Sequence, residues 1–409
     1  MTINSKCRDC GSVKLVKFLD LGSQPLANSF IKPEELHQTE KLYPLEVYFC
    51  TDCNLVQLVH VVDKSEMFSH YLYFSSGMPG VSSHWQGYAK DVMSRFLTIE
   101  DLVVEVGSND GVLLKFFKES GFKVLGVDPA ENIAKIAEEK GVPTMATFFS
   151  EKVASDIVKS YRQAKAILAN NVFAHIDDHL GFCAAAKILL APKGVLIIEV
   201  PYLIDMFENL AYDTVYHEHL SYLSINPLVM LFKRFGLEIF DVKIVATQGQ
   251  SIRIFVSQVG AYKVKDTVTE FIRKENTLRL GSIDTYYNLA KRIELSKNKL
   301  ISMLKELRSQ GKRIYGYGAP AKGNTLLNYC HIGPDILSYA LEDLPSKHGM
   351  ITPGMHIPII TRQFAEANPP DYYLLLAWNY KKVILEKESN FVKNGGKFII
   401  PIGDEIEIL

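Results

Sequence analysis

The stretch from Leu102 to Pro129, LVVEVGSNDGVLLKFFKESGFKVLGVDP, constrains this chain more than any other. A β-branched and apolar run, Leu102 to Val106, stops at Gly107-Ser108-Asn109-Asp110-Gly111. Apolar residues then recur at helical spacing, at Val112, Leu113, Phe116 and Phe117, before a second run from Lys123 to Val127 ends on Asp128. The pattern reads as strand, tight loop, helix, strand. Two strands joined by a helix run parallel, and a parallel sheet needs cover on both faces, so the unit commits the chain to α/β architecture.

The loop also narrows the ligand. Glycines at 107 and 111 let backbone approach a ligand closely, and an acid ending the second strand accepts both hydroxyls of a ribose. The loop lacks both G-x-G-x-x-G and a glycine turn ending in Lys-Ser/Thr, the shapes that cradle phosphate. It offers instead an acid before the turn, Glu105, and a small polar tip of Ser108, Asn109 and Asp110, which suits a cationic nucleoside without phosphate. The stretch resembles the first motif of class I S-adenosylmethionine-dependent methyltransferases, with Asp128 in the ribose-binding position. An ordinary βαβ unit with a glycine turn is the structural alternative.

A chain of 409 residues exceeds one ordinary core, so two or three domains are expected. A formal net charge of -1 argues against a broad nucleic-acid-binding surface. No stretch reaches the length of a membrane span and the first twenty residues lack a signal-peptide core, so the expected compartment is the cytoplasm. Four of the six cysteines form two identical pairs, Cys7-Arg-Asp-Cys10 and Cys50-Thr-Asp-Cys53. Each pair presents two thiolates from one turn, half of a tetrahedral site, and the 39 residues between them are too broken by proline to build a core alone. Structural Zn2+ on Cys7, Cys10, Cys50 and Cys53 is the expectation, with rubredoxin-like iron or a redox pair as alternatives. A closed four-thiolate site leaves no position for catalysis.

After Asp128 strands and helices alternate: helix 131-140, strand 143-148, helix 150-160, strand 165-171, helix 178-190 and strand 194-200. Runs Leu237 to Val245 and Ser251 to Val256 fit a closing hairpin. Ligands of such sheets bind at the carboxyl ends of the strands, which brings Asn170, Asn171 and His175 to the rim that carries Gly107 and Asp128. The following loop, Tyr212-Asp-Thr-Val-Tyr216-His217-Glu218-His219-Leu-Ser-Tyr222, crowds histidine, carboxylate and phenol together. Abstraction of a proton from carbon requires that set: a base titrating near neutrality, a carboxylate to fix its tautomer, and a donor for the oxyanion. Zinc binding by His217 and His219 and a satisfied polar network are the competing readings. Residues 264 to 310 read as a solvated connecting helix, and the last hundred residues restart a βαβ pattern at Arg313 to Tyr317. There Lys322, at a helix start, is placed to meet an anion, and Glu342 resembles a ribose-binding acid, which keeps a nicotinamide site open.

Paired cysteines, VEVGSNDG, EVPY, YDTVYHEHLSYLS and GYGAPAKGNT occur in this order in the sugar C-methyltransferases of deoxysugar pathways, which the chain resembles over essentially its whole length. The resemblance implies S-adenosylmethionine as cofactor and methyl transfer to carbon 3 of a nucleotide-linked 4-keto-6-deoxy sugar. It implies His219 as general base, Glu218 as its orienting carboxylate, Tyr216 and His175 near the keto oxygen, and Tyr73, or Tyr71, completing the pocket. The cofactor residues are then Glu105, Gly107, Ser108, Asn109, Gly111, Asp128, Asn170 and Asn171. Tyr222, Lys322, Asn324, Glu342, Lys347, Trp378 and Asn379 would face the nucleotide-diphosphate sugar. The expected architecture is α/β: a zinc-binding module (1-70), a class I methyltransferase Rossmann-like domain (71-262), connecting helices (263-310) and a C-terminal Rossmann-like α/β domain (311-409). No nucleic-acid or membrane partner is expected, and three domains around one cleft suit a monomer. Two further function classes remain: a methyltransferase whose zinc module recognises protein or nucleic acid, and an NAD-dependent sugar-nucleotide enzyme.

Overall fold

The computed structural model describes residues 1–63, 66–67, 81–245 and 250–409. Tyr71 and Tyr73 lie outside the described residues.

At the centre is a seven-stranded sheet in the order 237–245, 251–258, 190–201, 164–170, 102–106, 123–128 and 144–146. The five strands from 190–201 to 144–146 pair in parallel, and 251–258 runs antiparallel to both its neighbours. Their sequences explain the placement: Leu102–Val106 and Lys123–Asp128 are near-continuous apolar runs, as strands covered on both faces must be, and every residue but Lys123 is buried. Chain order reverses between 102–106 and its neighbour 164–170, which opens a crevice at their carboxyl ends. The strand, helix and hairpin elements expected from the sequence are present within a few residues of the expected bounds.

The N-terminal module is a four-stranded sheet in the order 221–222, 56–58, 43–50, 15–24. Its edge strand, Ser221–Tyr222, comes from the histidine-rich loop of the central domain, with Ser221 opposite Gln57 and Tyr222 opposite Val56. Inside the first cysteine turn, Arg8 donates to Asp177 at 3.0 Å and Asp9 meets His179 at 2.6 Å. The two residues that separate Cys7 from Cys10 therefore help to dock the module on the central domain.

The C-terminal sheet runs 359–360, 340–341, 314–317, 372–375, 397–400, 407–408. Two of its strands, Ile359–Ile360 and Glu407–Ile408, are too short to have shown as period-2 runs in the sequence.

The connecting segment corrects the expectation of a solvated helix. It forms two helices, Asp266–Thr277 and Ile283–Ser309, and the second buries Tyr286, Leu289, Ile293, Leu300 and Leu304. Tyr286 packs on Phe18 and Phe49 of the N-terminal module and on Phe207 of the central domain, at 4.9, 4.8 and 5.5 Å between ring centroids. Mixed charge concealed a buried stripe. Glu275 accepts from the backbone N–H groups of Ile225 and Asn226, capping the helix Ile225–Lys233 from another element, and from the Tyr202 hydroxyl. Glu275→Ala strands two buried donors and a phenol, and is expected to lower stability by about 2 kcal/mol, read as a lower urea midpoint.

Candidate active site

The two ends of the Gly107–Gly111 loop have φ of +68° and +75°, values open to glycine. Between them Asn109 N–H donates to Asp128 at 2.9 Å, and Ala130 N–H donates to the other Asp128 oxygen at 3.0 Å. Two backbone donors thus aim the Asp128 carboxylate at the crevice. Glu105, on the neighbouring strand 102–106, accepts from Asn170 at 3.1 Å. Burial, and then the neighbouring charges of Asp128 and Asp110, push its carboxyl up to about 8.

Around this rim Glu105 Oε2, Ser108 Oγ, Asn170 Oδ1 and Asn171 Oδ1 are buried without a hydrogen-bond partner among the described residues. Native proteins rarely leave so many adjacent acceptors unpaired, so the cluster calls for a ligand rich in donors. Asp128 and Asp110 place negative charge beside Glu105, and S-adenosylmethionine brings amino, hydroxyl and exocyclic amine donors on a positively charged frame. The residues fit that cofactor.

The four-cysteine cluster fits a metal equally well. Cys7 Sγ and Cys53 Sγ are 3.4 Å apart, Cys10 Sγ and Cys50 Sγ 3.6 Å, and all four sulfurs lie within 4.8 Å of one another. A tetrahedron of Zn–S bonds of ~2.3 Å has edges of ~3.8 Å. Cys7, Cys10, Cys50 and Cys53 would hold zinc as a structural site.

In the histidine-rich loop the His219 ring is held at both nitrogens. Nδ1 lies 2.8 Å from the Thr214 carbonyl, which can only accept, so Nδ1 carries the proton and Nε2 is left as acceptor for the Tyr216 hydroxyl, also at 2.8 Å. The Tyr216 ring lies against it, 4.0 Å between centroids, and His175 stands edge-on at 5.0 Å. Burial holds His219 well below the ordinary histidine range and His175 down at about 4, so both are neutral at physiological pH.

One expected contact is corrected. Glu218 does not orient His219: its Oε1 accepts from Asn28 of the N-terminal module at 2.6 Å, and the Thr214 carbonyl takes the orienting position. Residues 216–219 form a turn closed by the His219 N–H on the Tyr216 carbonyl, and His217 too faces away, toward the Tyr43 carbonyl at 3.1 Å. Burial raises the Glu218 carboxyl to about 7. Because the folded protein holds this proton more tightly than the unfolded chain, Glu218 costs stability as pH rises from 4.5 through about 7. Glu218→Gln keeps the acceptor for Asn28 and is expected to exceed wild type in stability by on the order of 3 kcal/mol at pH 8 and by little at pH 4.5. Urea midpoints at the two pH values read this directly.

The residues expected around the nucleotide divide. Asn324 is buried and donates to the Ala27 carbonyl at 2.7 Å, so it joins domains. Glu342 accepts from the backbone N–H groups of Ala319, Asp343 and Leu344, closing its own loop much as Asp128 does. Lys347 donates to the Ala319 carbonyl at 2.8 Å. Tyr222 is buried at the N-terminal module, where the Arg8 charge reaches it. Trp378 Nε1 donates to Asp213 at 2.6 Å and its ring lies 4.7 Å from Lys322 Nζ, while neighbouring Asn379 is half-buried. Thr214, Asn28 and Asp213 were missed by sequence reasoning. Only Asp213 had a local signal, since it lies inside the histidine loop; a backbone carbonyl and a residue 190 positions away leave none.

No helix among the described residues is long and apolar enough to cross a membrane. Family models match along the chain in order: a zinc binding domain over residues 7–68, a methyltransferase domain over 83–242 and a C-methyltransferase C-terminal domain over 246–403. The chain is 37% identical to C-methyltransferase NovU of Streptomyces niveus over 97% of its own length and 95% of that protein. Solved structures are more distant. Magnesium protoporphyrin IX methyltransferase from Synechocystis with bound SAH is 12% identical, covering 43% of this chain and 83% of that one at a TM-score of 0.35. An S-adenosylmethionine-dependent methyltransferase from Clostridium acetobutylicum is 15% identical, covering 44% and 92% at a TM-score of 0.34. With matched domains at both ends and one relative aligned nearly end to end, this chain belongs to the S-adenosylmethionine-dependent C-methyltransferase family.

Proposed function

We propose that this enzyme methylates carbon 3 of a nucleotide-linked 4-keto-6-deoxy sugar through an enolate, with His219 as the base. The observation that carries the reading is the fixed tautomer of a buried neutral histidine: Nδ1–H on Thr214 leaves the Nε2 lone pair beside the Tyr216 hydroxyl. A ketone acidifies the adjacent C–H bond enough for such a base. As Nε2 takes the proton, the electron pair moves onto carbon and oxygen, and the Tyr216 hydroxyl is within reach to donate to the enolate oxygen. His175, edge-on to His219, would line the same space. Glu105, Ser108, Asn109, Asp128, Asn170 and Asn171 would hold the S-adenosylmethionine. Bound, it supplies the electrophilic methyl group.

A deuterium-exchange experiment isolates the first step. Enzyme, S-adenosylhomocysteine and a 4-keto-6-deoxy sugar nucleotide are mixed in D2O, and exchange at carbon 3 is followed by mass spectrometry. Exchange dependent on the enzyme is expected; with full cofactor, a single added methyl on that carbon is expected. Failure of both across thymidine-, guanosine- and cytidine-linked sugars would sink the assignment.

A further inference from the structure

We propose that Lys322 is a catalytic cation of the methylation site, its ammonium donating to the substrate oxygen that becomes anionic when His219 takes the proton. The inference rests on the keto-sugar reading above and changes the part assigned to the C-terminal domain, from gripping the nucleotide to joining the chemistry.

Lys322 is the second residue of the helix Ala321–Cys330, where a side chain facing outward would meet a diphosphate. It turns inward instead. Its Nζ is shut off from solvent with no hydrogen-bond acceptor among the described residues, and it lies 4.7 Å from the centroid of the Trp378 ring. Trp378 Nε1 donates to Asp213 Oδ2, and Asp213 Oδ1 is also buried, with no partner among the described residues. Asp213 adjoins Thr214, whose carbonyl holds His219. One chain of contacts therefore runs from the ammonium through Trp378 and the catalytic loop to the base.

A buried ammonium against an aromatic ring, with no acceptor among the described residues, calls for one from a ligand. The charges around it say what that acceptor is. Asp213 and Asp205 both act on Lys322, favouring its charged form against burial, while burial raises Asp213 to about 6. Among the described residues the titratable groups acting on this site include Asp213, Asp205, His219, His175 and Lys322 itself. A diphosphate would bring more negative charge beside two carboxyl groups. A carbonyl oxygen enters neutral and acquires charge only as the reaction proceeds, so attraction to Lys322 grows toward the transition state, where binding accelerates the step. The bookkeeping of protons is simple: the C–H bond breaks, its proton goes to His219 Nε2, its electron pair forms the enolate, and Lys322 keeps all three of its own.

Lys322→Met, of similar length and volume, tests the role in the deuterium-exchange assay. Expected are an exchange rate at carbon 3 reduced ~100-fold or more, KM within about threefold of wild type, and unchanged inhibition by nucleoside diphosphate. Calorimetric affinity for S-adenosylhomocysteine reports whether the variant is folded; if Met is not accommodated, Lys322→Gln is read the same way. Exchange at the wild-type rate overturns the proposal. So does a raised KM with weakened nucleoside diphosphate inhibition at unchanged exchange, which would return Lys322 to the diphosphate. Absence of exchange in wild type fails the keto-sugar reading itself, and this inference with it.

Discussion

His219→Asn is expected to reduce methylation of a 4-keto sugar nucleotide by ~10³-fold or more, the range a positioned general base contributes, while S-adenosylhomocysteine binds within about twofold of wild type. Asparagine keeps a donor for the Thr214 carbonyl but has no lone-pair nitrogen to face carbon. The residues proposed to hold the cofactor lie on other elements, at the rim of strands 102–106, 123–128 and 164–170, so binding has no reason to change. The pH profile gives an independent check. Neutral His219 is the active form, and burial holds its proton affinity well below the ordinary 6.5. The acid limb of kcat/KM is therefore expected below pH 6.5, with activity flat from pH 8 down to that point. Tyr216→Phe keeps the ring against His219 but removes the hydroxyl, and should cost on the order of a hundredfold in kcat. Near-full turnover of His219→Asn would remove His219 as the base whatever else the site does.

The second large effect concerns a region with no reacting atom in it. Stripping metal with a chelator, or Cys53→Ser, is expected to unfold the N-terminal module and abolish turnover by ~10²-fold or more, with S-adenosylhomocysteine affinity largely kept. Metal binding supplies much of the folding free energy of such modules, ~10–16 kcal/mol in isolated four-ligand peptides. Here the consequences travel. The edge strand Ser221–Tyr222, two residues past His219, pairs with Val56 and Gln57 of the module. Asn28 holds Glu218, the Tyr43 carbonyl holds His217, and Arg8 and Asp9 inside the cysteine turn dock on Asp177 and His179. Losing the module releases the 217–222 end of the histidine loop, while the proposed cofactor rim, built on the central sheet, persists. Metal analysis, far-UV circular dichroism and turnover on the same sample decide it: metal-free protein with full activity would show that the loop holds its shape unaided.

These two results separate what was legible in the chain from what was not. The glycine turn and terminal acid of 102–129 specified a parallel α/β unit and its ligand edge, because backbone that needs φ above zero and strands covered on both faces select particular residues locally. The cysteine pairs declared a four-thiolate cluster for the same reason: each half sits in one turn. His219 stood out by chemical type. Its orientation did not, since the group that fixes the tautomer is a backbone carbonyl, identical at every residue, and Glu218, the neighbour that looked right by sequence, faces Asn28.

Folding in three dimensions decided who shares the site. Lys322 sits more than a hundred residues beyond His219, and nothing local marks whether its ammonium turns outward to solvent or inward to Trp378 and Asp213. The connecting helix looked solvated because its charges dominate composition, while the stripe around Tyr286 that clamps two domains is thinner than the polar faces around it. Local backbone demands and ligand chemistry are written residue by residue; long-range partnership depends on which surfaces meet, and only the packed chain sets that.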